Sequence, residues 1–235
     1  MLTNTNLHFN IEPAITQLQT LPWLNTPSWD LPINEPTGIP KTDPYRIRDE
    51  FCGTPIGDLL LEIQSKIGPF GDTRLRKLEN RESYHVHTDI DDRYHLALIT
   101  NPHALLIDLD NQKNFHIPCN GYLWLMDTSI PHTAVNFGQA GRVHFHIEQL
   151  LPKILGSTYQ LTFTKVSGRP EQNLWFDSMG QGYINKKIKS KEITGVEIRK
   201  DRKEILISTV DYSIIQQIIN NSLAMDCEAD VVKIS

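Results

Sequence analysis

At 235 residues, with 39% hydrophobic and 22% charged side chains, the chain is long enough to bury a core without disulfide staples, and its balance excludes general disorder. Its 23 basic and 28 acidic residues leave a formal charge of −5, which provides no broad footprint for nucleic acid. No run approaches the roughly 18 apolar residues of a membrane span, the opening MLTNTNLHFN lacks a basic-then-apolar signal, and Cys52, Cys119 and Cys227 are odd in number and far apart, so a reduced, cytoplasmic, membrane-free protein is expected. Residues 11–20 are predicted as a short helix with Pro13 in its first turn and Ile15 and Leu18 on one face. Six prolines between Pro22 and Pro44 predict an ordered, irregular loop over 22–48. Thr54 as N-cap and Pro55 at the first helical position open a second helix; its apolar stripe is Ile56, Leu59, Leu60, Ile63 and Ile67, and Gly68-Pro69 ends it. From Thr73 to Glu148, short alternating runs separated at Asn101-Pro102, Asp110-Asn111 and Asn120-Gly121 predict an all-β sandwich or barrel. Beyond Pro152 the texture changes. Residues 194–200 and 204–210 read as a hairpin turning at Asp201-Arg202, and Ile214, Ile215, Ile218 and Ile219 as a short amphipathic helix. The expected organisation is a main domain over 1–155 and a small α+β extension over 156–235, a lid or an oligomerisation module.

Eight of the nine histidines fall between His85 and His146. In a strand-like segment His85, His87 and Asp89 share a face, so an imidazole and a carboxylate two residues apart face one ion. Arg142, His144 and His146 alternate with Val143, Phe145 and Ile147, which puts a basic face opposite an apolar one. Such a strand suits a polar-lined barrel interior or an anion pocket. Arg93 and His95 also share a face. Two histidines and one carboxylate make a facial triad that leaves three positions open on Fe(II). A bidentate 2-oxo acid fills two and dioxygen the third. The far carboxylate of 2-oxoglutarate then needs a cation, and Arg142 lies ten residues beyond His132.

The combination His87-x-Asp89, Arg93-x-His95, Trp124-Leu-Met-Asp127-x-Ser129-x-Pro-His132 and Arg142, over residues 73–150, resembles the aspartyl/asparaginyl β-hydroxylase-type branch of the Fe(II)/2-oxoglutarate dioxygenases, which includes bacterial free-proline hydroxylases. The resemblance implies a mainly β fold, a double-stranded β-helix (a cupin-like jelly roll), flanked here by the N-terminal helices and the α+β extension. It implies that His87, Asp89 and His132 bind Fe(II), that Arg142 holds the distal carboxylate of 2-oxoglutarate, and that Arg93 and His95 help hold its other end. It implies hydroxylation of an amino acid, free or within a peptide or protein, with release of succinate and CO₂. Asp89 departs from the vertebrate aspartyl/asparaginyl hydroxylases, which lack this carboxylate; halogenases leave the same position to halide, so Asp89 favours hydroxylation. The link from His87 to Arg93 is short, and the tail beyond Pro152 has no counterpart.

Asp127 and Ser129 are candidates to orient His132 or simply to cap a turn, and Arg74, Arg76 and Arg81 are candidates for a substrate carboxylate. Three other readings compete. His85-x-His87-x-Asp89 resembles the core of metallo-β-lactamase-like zinc hydrolases, although Ile90 stands where these usually carry histidine. A non-enzymatic cupin-like binder would share the barrel but would not need Arg142 at its offset. The basic segments Lys186–Lys191 and Arg199–Lys203 raise nucleic-acid binding, but they suit a solvated hairpin better. Oligomeric state is not legible.

Overall fold

A computed structural model describes residues 1–153, 158–166, 180–199, 204–209, 211–223 and 227–234. In chain order the elements begin with β1 (Leu2–His8), α1 (Glu12–Thr20), β2 (Asp30–Pro32), β3 (Asn34–Pro36), β4 (Tyr45–Ile47) and α2 (Pro55–Ile67). The central run is β5 (Thr73–Leu78), β6 (Glu82–Ser83), β7 (Arg93–Ile99), β8 (Ala104–Asp108), β9 (Lys113–Phe115), β10 (Tyr122–Met126), β11 (His132–Asn136) and β12 (Arg142–Glu148). The C-terminal part contains β13 (Thr158–Val166), α3 (Gly180–Lys189), β14 (Ile193–Arg199), β15 (Glu204–Thr209), α4 (Tyr212–Leu223) and β16 (Cys227–Lys233).

The fold is mainly β and its strand pairs are antiparallel. A six-stranded sheet runs β1-β10-β7-β12-β5-β2, and a four-stranded sheet runs β6-β11-β8-β9. Alternation along β12 explains why the large sheet is buried on both faces. Val143, Phe145 and Ile147 enter a core with Leu18 of α1 and Ile56, Leu60 and Ile63 of α2. The opposite face, with Arg142, His144 and His146, turns toward the smaller sheet. A second apolar cluster of Ala97, Met126, Leu106 and Ala134 ties the two sheets together beside that polar interior. This arrangement is that of a β-sandwich with helices on one outer face.

Both N-terminal helices form where expected. Thr54 caps α2 by accepting from the Gly57 amide at 3.3 Å, and Gly68 ends it at φ +82°, a conformation that favours glycine. Thr54→Ala is expected to lower stability by about 1 kcal/mol in a denaturant titration. Helix α1 buries Ala14 and Leu18, with Ile15 only half-buried. The proline-rich stretch is more regular than a loop: β2 pairs with β5 at the sheet edge, and β3 and β4 form a small hairpin. Pro32 sits on this edge strand, where a missing donor is tolerated.

The C-terminal part forms its own sheet, β14-β15-β13-β16. The predicted hairpin is β14–β15 and the predicted helix is α4; the turn at Asp201-Arg202 and the boundary at 155 lie outside the described residues. The C-terminal core is not self-contained. It takes in Ile90 and Leu151 from the first part, so the residue after Asp89 is a hydrophobic plug between the two parts.

Candidate metal centre and anion pocket

His87, Asp89 and His132 converge. Asp89 Oδ2 lies 3.5 Å from the Nε2 of His87 and 3.5 Å from that of His132. All three donor atoms fall within 4.8 Å of one another, the one such His/Cys/Asp/Glu group among the described residues. Two ligands about 2.1 Å from an ion at right angles lie about 3 Å apart, so this set matches a single divalent cation.

The local cause differs from the one the sequence suggested. His87 is not in a strand; it makes a single antiparallel bridge to His132, with paired N–H···O bonds of 3.0 and 2.9 Å. The Asp89 amide then donates to the Thr128 carbonyl at 2.9 Å, so both ligand-bearing segments are zipped together by backbone. His85 does not join the group and is exposed. The imidazoles are fixed by backbone carbonyls: His87 Nδ1 lies 2.9 Å from the His85 oxygen and His132 Nδ1 2.9 Å from that of Ile130. An Nδ1–H donating there leaves Nε2 as the free lone pair, as a metal ligand requires. Asp127 and Ser129 bond to each other at 2.6 Å and hold the turn, whereas the Ile130 carbonyl orients His132.

Asp89 is buried, which opposes its charge, but the Arg93 guanidinium and the two imidazoles hold its carboxyl well below the usual range. Arg93 Nη2 donates to Asp89 Oδ1 at 2.7 Å and Arg93 Nε to Asp91 Oδ1 at 3.2 Å. Besides facing the interior cavity, Arg93 therefore orients the Asp89 carboxylate. Lys41, from the proline-rich stretch, extends this network by pairing with Asp91 and with Glu148 Oε2, the latter at 2.9 Å. Removing Arg93 would leave Asp89 buried without its main counter-charge and Asp91 with Lys41 alone. Arg93→Ala should thus cost about 3–5 kcal/mol at neutral pH. Because the folded carboxyl of Asp89 is depressed, its contribution is present above its unfolded value of about 3.9 and fades as pH falls below it. The gap between wild type and Arg93→Ala should narrow over the same range, and denaturant melts at pH 7 and pH 3 would measure it.

Behind the triad lies a small pocket between the two sheets, lined by Arg76, Arg93, His95, Arg142, His144 and His146 among others. Its polarity is one-sided. Burial, reinforced by the arginines, pushes His95, His144 and His146 well below the normal histidine range, so these rings are neutral donors rather than cations. Arg142 is 3% exposed, and its Nε and Nη1 meet no acceptor among the described residues; both nitrogens of His95 and of His144 are likewise unmatched there. Burial pushes Arg142 down, opposed by the adjacent Tyr84 hydroxyl. Buried donors of this kind are costly unless an acceptor reaches them, and an anion fits the whole set.

His87 and Asp89 also face outward, onto a cleft of about 990 Å³ that they line with Arg76, Tyr45, Gln181 and Glu197. Of the three candidate arginines, Arg74 is engaged by Asp30 and Asp72, Arg81 is exposed in a left-handed turn, and Arg76 lines both cleft and pocket. Three of the basic C-terminal residues are ion-paired: Lys187 with Glu192, Lys189 with Asp92 and Asp127, and Arg199 with Glu197.

Residues 58–152 match the family model of the aspartyl/asparaginyl β-hydroxylases. The match runs from α2 to just past β12 and contains every candidate ligand and pocket residue, which supports the branch read from the sequence and a hydroxylase character for this region. No curated protein matches the chain. No helix among the described residues is long and apolar enough to cross a membrane.

The cleft and network residues Lys41, Asp91, Gln181 and Glu197 had no sequence signal, since each is brought in by tertiary contact from outside the histidine-rich stretch or from between its motifs.

Proposed function

We propose that this protein is an Fe(II)- and 2-oxoglutarate-dependent dioxygenase that hydroxylates an amino acid side chain, free or within a peptide or protein, and releases succinate and CO₂. The observation that carries the reading is the joint one: three metal-competent donors on one spot, and beside them an interior pocket whose buried Arg142 has two N–H donors unmatched among the described residues. A zinc hydrolase would need the first and have no use for the second. Ferrous iron, when bound with the 2-oxo acid and dioxygen, supplies the oxidising chemistry.

The chain's own residues bind and orient. His87, Asp89 and His132 would hold the metal through their converging donor atoms. Arg142 pairs with the distal carboxylate, and the neutral His95 and His144 rings donate within the pocket without adding charge. Arg93 keeps Asp89 ionised and aimed. Arg76, at the junction of pocket and cleft, is suited to a substrate carboxylate. In this reading the sandwich is a double-stranded β-helix over 1–155, with 156–235 as an appended α+β region. The protein acts in the cytoplasm without nucleic acid or membrane.

The test supplies Fe(II), ascorbate and 2-oxoglutarate with amino acid and peptide pools. It follows succinate together with a product mass gain of about 16 Da, one inserted oxygen. Hydrolysis of an ester or amide under zinc, with no 2-oxoglutarate requirement, would overturn the proposal.

A further inference from the structure

Helix α3 lies outside the matched family span, yet its packing points at the metal centre. Gly182, Asn185 and Lys189 follow one another at i, i+3 and i+7 and so share a face, while Ile184 and Ile188 pack in the C-terminal core. The shared face is polar and still buried at Asn185, 3% exposed, so the side chain must find partners where the helix lands.

Those partners sit on the two segments that carry the ligands. Asn185 Nδ2 donates to Asp92 Oδ1 at 3.0 Å and approaches the Asp89 carbonyl and Thr128 Oγ1, each at 3.4 Å. The Gly182 amide, in the first turn where helical N–H groups have no internal acceptor, donates to Thr88 Oγ1 at 3.1 Å. Thr88 stands between His87 and Asp89. Lys189 Nζ bridges Asp92 at 2.9 Å and Asp127 at 2.7 Å, joining the Asp89 segment to the His132 segment directly. The approach is closer than a side chain allows: a Cβ on Gly182 would lie 2.5 Å from the Ser129 carbonyl oxygen and 2.8 Å from Thr88 Cβ.

We infer that α3 is a clamp on the metal centre, with Gly182, Asn185 and Lys189 as positioning residues that set the spacing of the His87–Asp89 and His132 segments. This rests on the metal reading above. The C-terminal part then belongs to the functional unit, and the matched span 58–152 alone would hold its ligands loosely.

The test uses the full chain and Co(II) as an anaerobic probe of the site, read by calorimetry and by visible absorption. Asn185→Ala and Gly182→Ala should raise the Co(II) dissociation constant about 10- to 100-fold, the scale of outer partners of metal ligands, and should alter the absorption bands. Lys189→Ala, on a half-exposed residue that does not threaten folding, should shift both in the same direction by less. Leu18→Ala, in the core under the N-terminal helices and outside the cluster that holds α3, should lower the melting temperature without moving the constant or the bands. Unchanged constants and spectra in folded Asn185→Ala and Lys189→Ala proteins, with wild type binding normally, would overturn the clamp. Failure of wild type to take up Co(II) or Fe(II) would instead overturn the metal site and the clamp with it.

Discussion

His132→Ala should abolish tight metal binding. Three donors converge at this site, and His132 contributes one of them and the bridge that brings them together: its backbone N–H and C=O both pair with His87, and its ring nitrogen stands 3.5 Å from Asp89. Loss of an outer partner of a ligand already costs 10- to 100-fold in affinity, so loss of a ligand from a set of three should cost at least about 100-fold. The backbone bridge does not depend on the side chain, and the Asp89–Arg93 pair is intact, so the variant should fold. Anaerobic titration with Fe(II), with circular dichroism to establish folding, separates the two effects. Full occupancy and turnover in a folded His132→Ala protein would show that the convergence of these groups is not a metal site.

The same residues show why part of this site is legible in sequence and part is not. β12 could be read in full because a period of two was enough: Arg142, His144 and His146 needed only alternation to reach one interior, and Val143, Phe145 and Ile147 the other. Helix α2 was legible because Thr54-Pro55 and Gly68-Pro69 are local signals. His87 and Asp89 were grouped rightly, but strand alternation was the wrong reason. Their meeting depends on a bridge to His132, 45 positions away, and on the Asp89 amide reaching Thr128. Backbone acceptors leave no residue-type trace, so the Ile130 carbonyl could not be anticipated and Asp127 and Ser129 drew attention instead. Lys41 was hidden for a related reason. It lies in a stretch that proline density marks as irregular, and its acids, Asp91 and Glu148, are 50 and 107 positions distant. Helix α3 corrects the sequence reading: Lys186–Lys191 was expected on a solvated hairpin, and Lys186, Lys187 and Lys189 instead form the last turn of this helix. Two glycines in its first turn weaken the helical pattern. The glycine that weakens the pattern is the one that lets the helix approach Ser129 and Thr88. Local rules failed here because close packing at the site outweighed helix propensity.

Arg142→Ala should separate stability from function. A guanidinium held at 3% exposure with two unmatched donors is an expense to the free protein, because desolvation of a charge without full compensation is unfavourable. Truncation removes that strain and leaves a small polar-lined void, so the ligand-free variant should melt at a temperature close to that of wild type. Binding of 2-oxoglutarate should behave in the opposite way. Loss of one partner of a buried, charge-assisted pair costs about 2–5 kcal/mol, or about 30-fold to several thousand-fold in dissociation constant. Arg142→Lys should recover only part of this, because an ammonium keeps the charge but not the planar fork that meets a carboxylate with two parallel bonds. A ligand that binds only the folded state raises its melting temperature by mass action, so millimolar 2-oxoglutarate should stabilise metal-loaded wild type and have little effect on metal-loaded Arg142→Ala. Anaerobic calorimetry and thermal melts on the metal-loaded proteins would measure both quantities. Equal dissociation constants for wild type and Arg142→Ala would mean that the cosubstrate carboxylate lies elsewhere in the pocket. A wild type without affinity for 2-oxoglutarate would remove the cosubstrate from the proposal and return the pocket's unmatched donors to some other anion.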